Sequence, residues 1–253
     1  MLTVDDTKAV DPGTLAQERR EIIRKDGTDA LYQQEYMCNF EVPIQGAYYG
    51  AQMMLADEEK RITSVPYDKA TRVHTAWDLG IDDSTSIWFF QVIQQEIHFI
   101  DYYESSGEGL EFYIKQLQDK GYIYGDHYAP HDIAVRELGT GKSRLETAKA
   151  LNVRFEVGKL LPIEDGINAV RTVLNRCWFD KVKCTKGVSA LISYHKEWDE
   201  ENQVFKKKPE HDWSSHAADA FRTFATGYRQ ISTEAFAGDV GGVNPYWPDM
   251  GIA

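Results

Sequence analysis

His74–Phe90, HTAWDLGIDDSTSIWFF, decides how the rest of the chain is read. Together with Val73 it alternates: Val73, Thr75, Trp77 and Leu79 fall on one side of an extended segment, and His74, Ala76 and Asp78 on the other. That period of two predicts a strand. Gly80 breaks it, Ser84 and Thr85 supply turn residues, and Ser86 to Ile93 is apolar almost throughout, as a strand covered on both faces should be. Asp78 is therefore expected at the end of a central strand. A carboxylate there is costly as an ion unless a cation meets it, and a metal is the usual cation. An Asp that caps its own turn is the other reading of the same pattern.

The residues beyond extend the sheet and add helices. Gln94-Gln95 is a tight turn into a third strand, Glu96 to Tyr103. Leu110, Tyr113, Ile114 and Leu117 recur at helical spacing and Gly121 stops that helix. YIYGDHYAPHD is a fourth extended segment, ended by Pro130. Ser143 to Glu146 is a capping box, and Val153, Phe155 and Val157 make a fifth strand. Ile167, Val170, Leu174 and Trp178 form one helical stripe, and Val188, Leu191, Ile192 and His195 another. A last helix is expected from about Trp213 to Tyr228. The order predicts an α/β architecture around a mixed sheet of five or more strands.

Composition narrows the class. The 253 residues carry a formal charge of -12, which argues against a general polyanion binder unless divalent ions neutralise part of the acidity. Three cysteines, Cys38, Cys177 and Cys184, make neither a CxxC pair nor an even framework, which favours a reducing compartment. No apolar run is long enough to span a bilayer, and the first residues lack the apolar centre of a signal peptide, so a soluble protein is expected with no membrane partner.

Two further acids can join Asp78. Asp132 follows the fourth extended segment. Asp219 lies in HDWSSHAADAFR, where Asp212, His216, Asp219 and Arg222 share one helical face and Ala217, Ala220, Phe221 and Phe224 the apolar one. Taken singly, Asp132 reads as a turn former and Asp219 as a surface charge paired with Arg222. Two strand-end acids and one helix acid are the set a two-metal nuclease uses, its ions about 3.5–4 Å apart around an in-line displacement at phosphorus. Oxygen ligands suit Mg2+ or Mn2+.

The order WDLG-x-DD-S-T, then YAPHD-x-x-V-x-E-x-G-T-G-K-S-R, then HDWSSHAADAFR resembles the nuclease domain of the large terminase subunit of tailed bacteriophages, a ribonuclease H-like fold, over roughly residues 71–228. The resemblance implies that Asp78, Asp132 and Asp219 hold two divalent ions. It implies an endonuclease that cuts concatemeric double-stranded viral DNA during packaging, in the cytoplasm of the infected bacterium, leaving a 3′-hydroxyl and a 5′-phosphate. Portal, small terminase subunit and an ATPase motor domain are the implied partners. Residues 1–70 are expected as a lead-in that includes QEYMCNFEVPIQGAYYG, similar to the junction after the family's ATPase domain; 71–230 as the nuclease domain; and 231–253 as a flexible tail. The 253 residues read as an excised domain or a natural fragment. A DNA-binding or portal-docking module, and a Holliday-junction-type resolvase, are the rival functions.

Around these acids, Asp82 and Asp83 read as turn residues, and with Asp212 and His216 they are candidates to support the ligands. Gly139 to Ser143, GTGKS, imitates a phosphate-binding loop, but Arg136 stands where a glycine is required and no apolar strand precedes it, so no ATPase site is expected. Lys142 and Arg144 are expected instead to touch DNA phosphates. His127 and His131 have a zinc-like spacing that Pro130 contradicts for a helix. Trp198 to Pro209 reads as a charged hairpin tipped near Asn202-Gln203, whose Lys206, Lys207 and Lys208 are the expected DNA-backbone contact.

Overall fold

The computed structural model describes residues 11–26, 46–80, 84–136 and 141–237. Asp82, Asp83, Cys38, Gly139 and Thr140 lie outside the described residues.

In chain order the elements are α1 (Pro12–Asp26), α2 (Gly50–Glu58), β1 (Ile62–Thr63), β2 (Val73–Asp78), β3 (Ser84–Ile93), β4 (Glu96–Ser106), α3 (Leu110–Lys120), β5 (Tyr124–Ala129), α4 (Arg144–Ala150), β6 (Phe155–Val157), α5 (Ile163–Val173), β7 (Cys177–Asp180), α6 (Thr185–Ser193), β8 (Lys196–Asp199), β9 (Val204–Pro209) and α7 (Ser215–Ala237). A seven-stranded sheet has the order β1-β7-β4-β3-β2-β5-β6, and β8 and β9 form a separate hairpin. Within the seven-stranded sheet only β3 runs against its neighbours, pairing antiparallel with both β2 and β4, while the other pairings in that sheet are parallel. The expected ribonuclease H-like mixed α/β sheet with helices on both faces is thus the fold observed.

The alternation read in β2 sorts the two cores. Ala76 joins Trp88, Phe90, Phe99 and Phe179 beneath α7, which contributes Ala217, Ala218, Ala220, Phe221 and Phe224. Val73 and Trp77 face the other way, onto Tyr113, Ile114 and Leu117 of α3 and Ala148 of α4. The alanines let α7 lie against the sheet closely enough for the buried Trp88 Nε1 to donate to the Ala217 carbonyl at 2.9 Å. On the opposite face Trp77 Nε1 donates to Thr75 Oγ1 at 2.7 Å, and Thr75 Oγ1 meets His127 Nδ1 at 2.7 Å. Burial drives the His127 pKa down to about 4, so the ring is a neutral core group.

Several boundaries differ from expectation. Helix α5 stops at Val173, and Trp178 lies in β7, whose Cys177 and Phe179 pack inward between β4 and β1; the pairing available at that sheet position overrides the helical stripe. His195 likewise leaves α6 and forms a bridge with Ala47. Helix α7 continues past Tyr228 to Ala237, so residues 231–237 of the expected tail are helical. Part of the expected lead-in is built into the fold: Tyr48, Tyr49 and Met53 are buried in the α7-side core and β1 pairs with β7.

One irregularity reorganises a whole strand. Phe89 pairs with Asp101 and Phe90 with Phe99, so Ile100 has no partner of its own on β3. Ile100 stays on the α3 side, and the bulge turns Tyr102 onto the face of Ala76 and α7. Unbroken alternation from Ile97 and Phe99 would have placed Tyr102 on the other face.

Candidate functional site

β2 and β5 are parallel neighbours with Ala76 opposite Tyr128. Asp78 closes β2, and Asp132 lies in the short 3-10 turn His131–Ala134 that follows β5. Both acids therefore leave the carboxyl ends of adjacent strands, the edge at which open α/β sheets place their ligands. Asp219 reaches the same end from α7, which crosses the face to which Ala76 and Asp78 point.

Asp78 and Asp219 are electrostatic neighbours: the Asp78 charge is one of the influences raising the Asp219 pKa. Burial is the largest of these, opposed by Arg222, and the carboxyl stands at about 6. Arg222 Nη1 lies 2.9 Å from Asp219 Oδ1, so the pairing read for a lone Asp219 does form. His216 Nδ1 is 3.5 Å from Asp78 Oδ2, one turn of α7 before Asp219, and the His211 ring lies 5.6 Å from that of His216. Asp132 is exposed in its turn. Among the described residues, no three His, Cys, Asp or Glu side chains stand close enough to enclose a metal ion.

The remaining expected site residues divide by what they touch. Asp212 Oδ1 accepts from Ser214 N at 2.9 Å and Ser214 Oγ at 2.6 Å, so this carboxylate shapes the turn that opens α7 instead of standing behind a ligand. Ser143 caps α4 through a complete capping box with Glu146, as its spacing predicted. Arg144 Nη1 donates to the Leu79 carbonyl at 2.8 Å, which ties the start of α4 to the residue after Asp78. Lys142 is exposed beside it. On the hairpin, Lys206 and Lys208 both engage Glu197, at 2.6 and 2.7 Å, while Lys207 is exposed.

Sequence reading missed Glu104. Asp78 pairs with Ser86, and Ser86 with Glu104, so the three form one row across β2, β3 and β4. Glu104 accepts from Tyr102 OH and from Lys186 Nζ, the latter at 2.8 Å, and Tyr102 OH also meets Ser86 Oγ at 3.0 Å. No local signal marks Glu104, because the Ile100 bulge sets the face on which it lies.

No protein-family model and no curated protein matches the sequence. Among solved structures, the large terminase of the thermophilic bacteriophage D6E in complex with ATP-gamma-S is similar with a TM-score of 0.57 and 18% identity, covering 89% of this chain and 54% of that one. This chain shares its fold with part of that large terminase. It spans about half of the D6E protein's length. The nuclease domain of the P22 large terminase is similar at a TM-score of 0.49 and 15% identity, covering 68% of this chain and 89% of that one. The large terminase nuclease of thermophilic phage G20c with bound magnesium matches at 0.48 and 13%, covering 74% and 99%. Within the terminase fold, Asp78, Asp132 and Asp219 all belong to one end of the sheet, and no helix among the described residues is long and apolar enough to cross a membrane.

Proposed function

We propose that the chain is a divalent-metal-dependent DNA endonuclease of the terminase type, with residues 71–230 as its nuclease unit, acting on double-stranded DNA during genome packaging in the host cytoplasm. One observation carries the reading. Asp78, at the end of a central strand, lies against the helix that bears His216 and Asp219, with His216 Nδ1 3.5 Å from Asp78 Oδ2, and burial first, then the Asp78 charge, raises the Asp219 pKa to about 6. Two carboxylates whose charges oppose each other fit a hard divalent cation, whose arrival would favour the ionised form of Asp219. Asp78, Asp219 and Asp132 would hold two such ions, Mg2+ or Mn2+. When bound, they supply charge neutralisation for an in-line displacement at a phosphodiester.

The chain's own groups prepare that step. His216 Nδ1 faces Asp78 Oδ2 and orients it. Arg144, anchored on the Leu79 carbonyl, keeps a guanidinium beside the strand end where a DNA phosphate would lie. The hairpin leads directly into α7, so Lys207 meets the duplex backbone close to the acids. Portal, small subunit and a motor domain complete the packaging assembly in this reading.

The test is cleavage of supercoiled plasmid with Mn2+ by the parent protein and by Asp78→Asn. The parent should nick and linearise; the variant should bind DNA, melt at a similar temperature and leave it intact. An active Asp78→Asn protein sinks the proposal. Binding without cleavage by the parent leaves a DNA-binding module, and preference for branched over linear duplex identifies a resolvase.

A further inference from the structure

Asp219 does not present its carboxylate symmetrically. Oδ1 receives Arg222 Nη1 at 2.9 Å and Tyr194 OH at 3.5 Å, and Arg222 Nη1 also donates to the Tyr194 hydroxyl at 3.4 Å, closing a triangle. Among the described residues no donor is bonded to Oδ2. The triangle is held from behind. Tyr194 is 1% exposed and its ring packs against Tyr48, at 5.3 Å, and the stacked Tyr49, at 5.6 Å, the three rings forming one cluster. The Tyr194 carbonyl accepts from Tyr48 N at 2.9 Å. Arg222 passes over Gly166 of α5, where an added Cβ would stand 2.4 Å from Arg222 Cδ, so its stem runs in a groove that only a glycine leaves open.

We propose that Arg222 and Tyr194 are positioning residues that fix Asp219 by Oδ1 and leave Oδ2 as the single oxygen offered to a metal ion, so that Asp219 is a one-oxygen ligand. The proposal rests on the metal-dependent reading above and concerns how this acid is held. Both clamp groups are donors towards Oδ1, and that gives the clamp a chemical signature. A carboxamide has one acceptor oxygen and one donor NH2. In Asp219→Asn the clamp selects the amide oxygen, which turns the NH2 to the place of Oδ2, and an NH2 group does not ligate a cation. Without a clamp, the amide would turn its oxygen to the ion and keep part of the affinity.

The experiment is Mn2+ titration calorimetry on the parent, Asp219→Asn and Asp219→Ala proteins, with no DNA present. Asp219→Asn and Asp219→Ala are expected to bind indistinguishably, both about tenfold or more weaker than the parent. In a background carrying Arg222→Met and Tyr194→Phe, where Met keeps an unbranched stem over Gly166, Asp219→Asn is expected to bind more tightly than Asp219→Ala. Tighter binding by Asp219→Asn in the parent background overturns the clamp while leaving the nuclease reading intact. Absence of Mn2+ binding by the parent overturns both together. Should the clamp-free background fail to fold, the comparison in the parent background decides alone.

Discussion

Replacing Asp219 with asparagine should stabilise the metal-free protein, by an amount that depends on pH in a defined direction. The folded carboxyl stands at about 6 against an ordinary 3.8, chiefly because burial penalises its charge. At about 1.36 kcal/mol per pH unit this difference corresponds to about 3 kcal/mol. The side chain keeps 31% exposure, and solvent screening trims the figure to about 1–2 kcal/mol. Below the ordinary value the group is protonated in both folded and unfolded chains, so it costs nothing. Between the two values the unfolded chain ionises while the folded one keeps its proton, and stability falls as pH rises. Above about 6 the whole cost is present. Asp219→Asn carries no such charge. Its advantage in melting temperature should grow from none near pH 4 to about 2–8 °C by pH 7.5 for a chain of this size. Thermal melts followed by circular dichroism in EDTA across that range measure it, and Mn2+ should narrow or reverse the difference by stabilising the parent more than the variant. A difference that stays flat with pH, or a variant less stable than the parent at pH 7.5, refutes the reasoning.

Three further outcomes follow from particular contacts. Lys207→Ala should reduce the slope of log affinity for duplex DNA against log salt by about one, whereas Lys206→Ala should change it less, because Lys206 and Lys208 already share Glu197; equal effects in a salt titration would contradict the pairing. Gly187→Ala should lower the melting temperature: its Cβ would stand 2.4 Å from the buried Trp88 ring, and about 1–3 kcal/mol of overpacking outweighs the roughly 1 kcal/mol of helix propensity gained. Thr75→Val should cost about 2–3 kcal/mol in urea unfolding, since it strands Trp77 Nε1 and His127 Nδ1 in the core; a loss below about 0.5 kcal/mol would show that these groups find other partners.

Much of the fold was legible because burial imposes a period on the chain. The alternation of Val73 to Asp78 placed Asp78 on the face that α7 covers, and the alanines among Ala217 to Ala220 placed that helix close to the sheet. Ser143 with Glu146, and Gly121 with a φ of +65°, were readable as helix ends because capping is a matter of neighbouring residues alone. The rest depended on contacts between residues distant in the chain. Trp178 became a strand residue because β4 and β1 offered it pairing, and Glu104 joined the row of Asp78 because one unpaired residue at Ile100 reversed the faces of everything after it. Asp212 had the spacing of a ligand support, yet the nearest unsatisfied donors, on Ser214, took its carboxylate. The sequence by itself determined where Asp78 and Asp219 lie, since each sits on a strand or helix whose buried face is periodic, and Pro130 marked the strand end that Asp132 follows. Only the tertiary structure decided which oxygen of Asp219 is held and by whom, because Arg222, Tyr194 and the groove at Gly166 come together from three separate segments and no local pattern couples them.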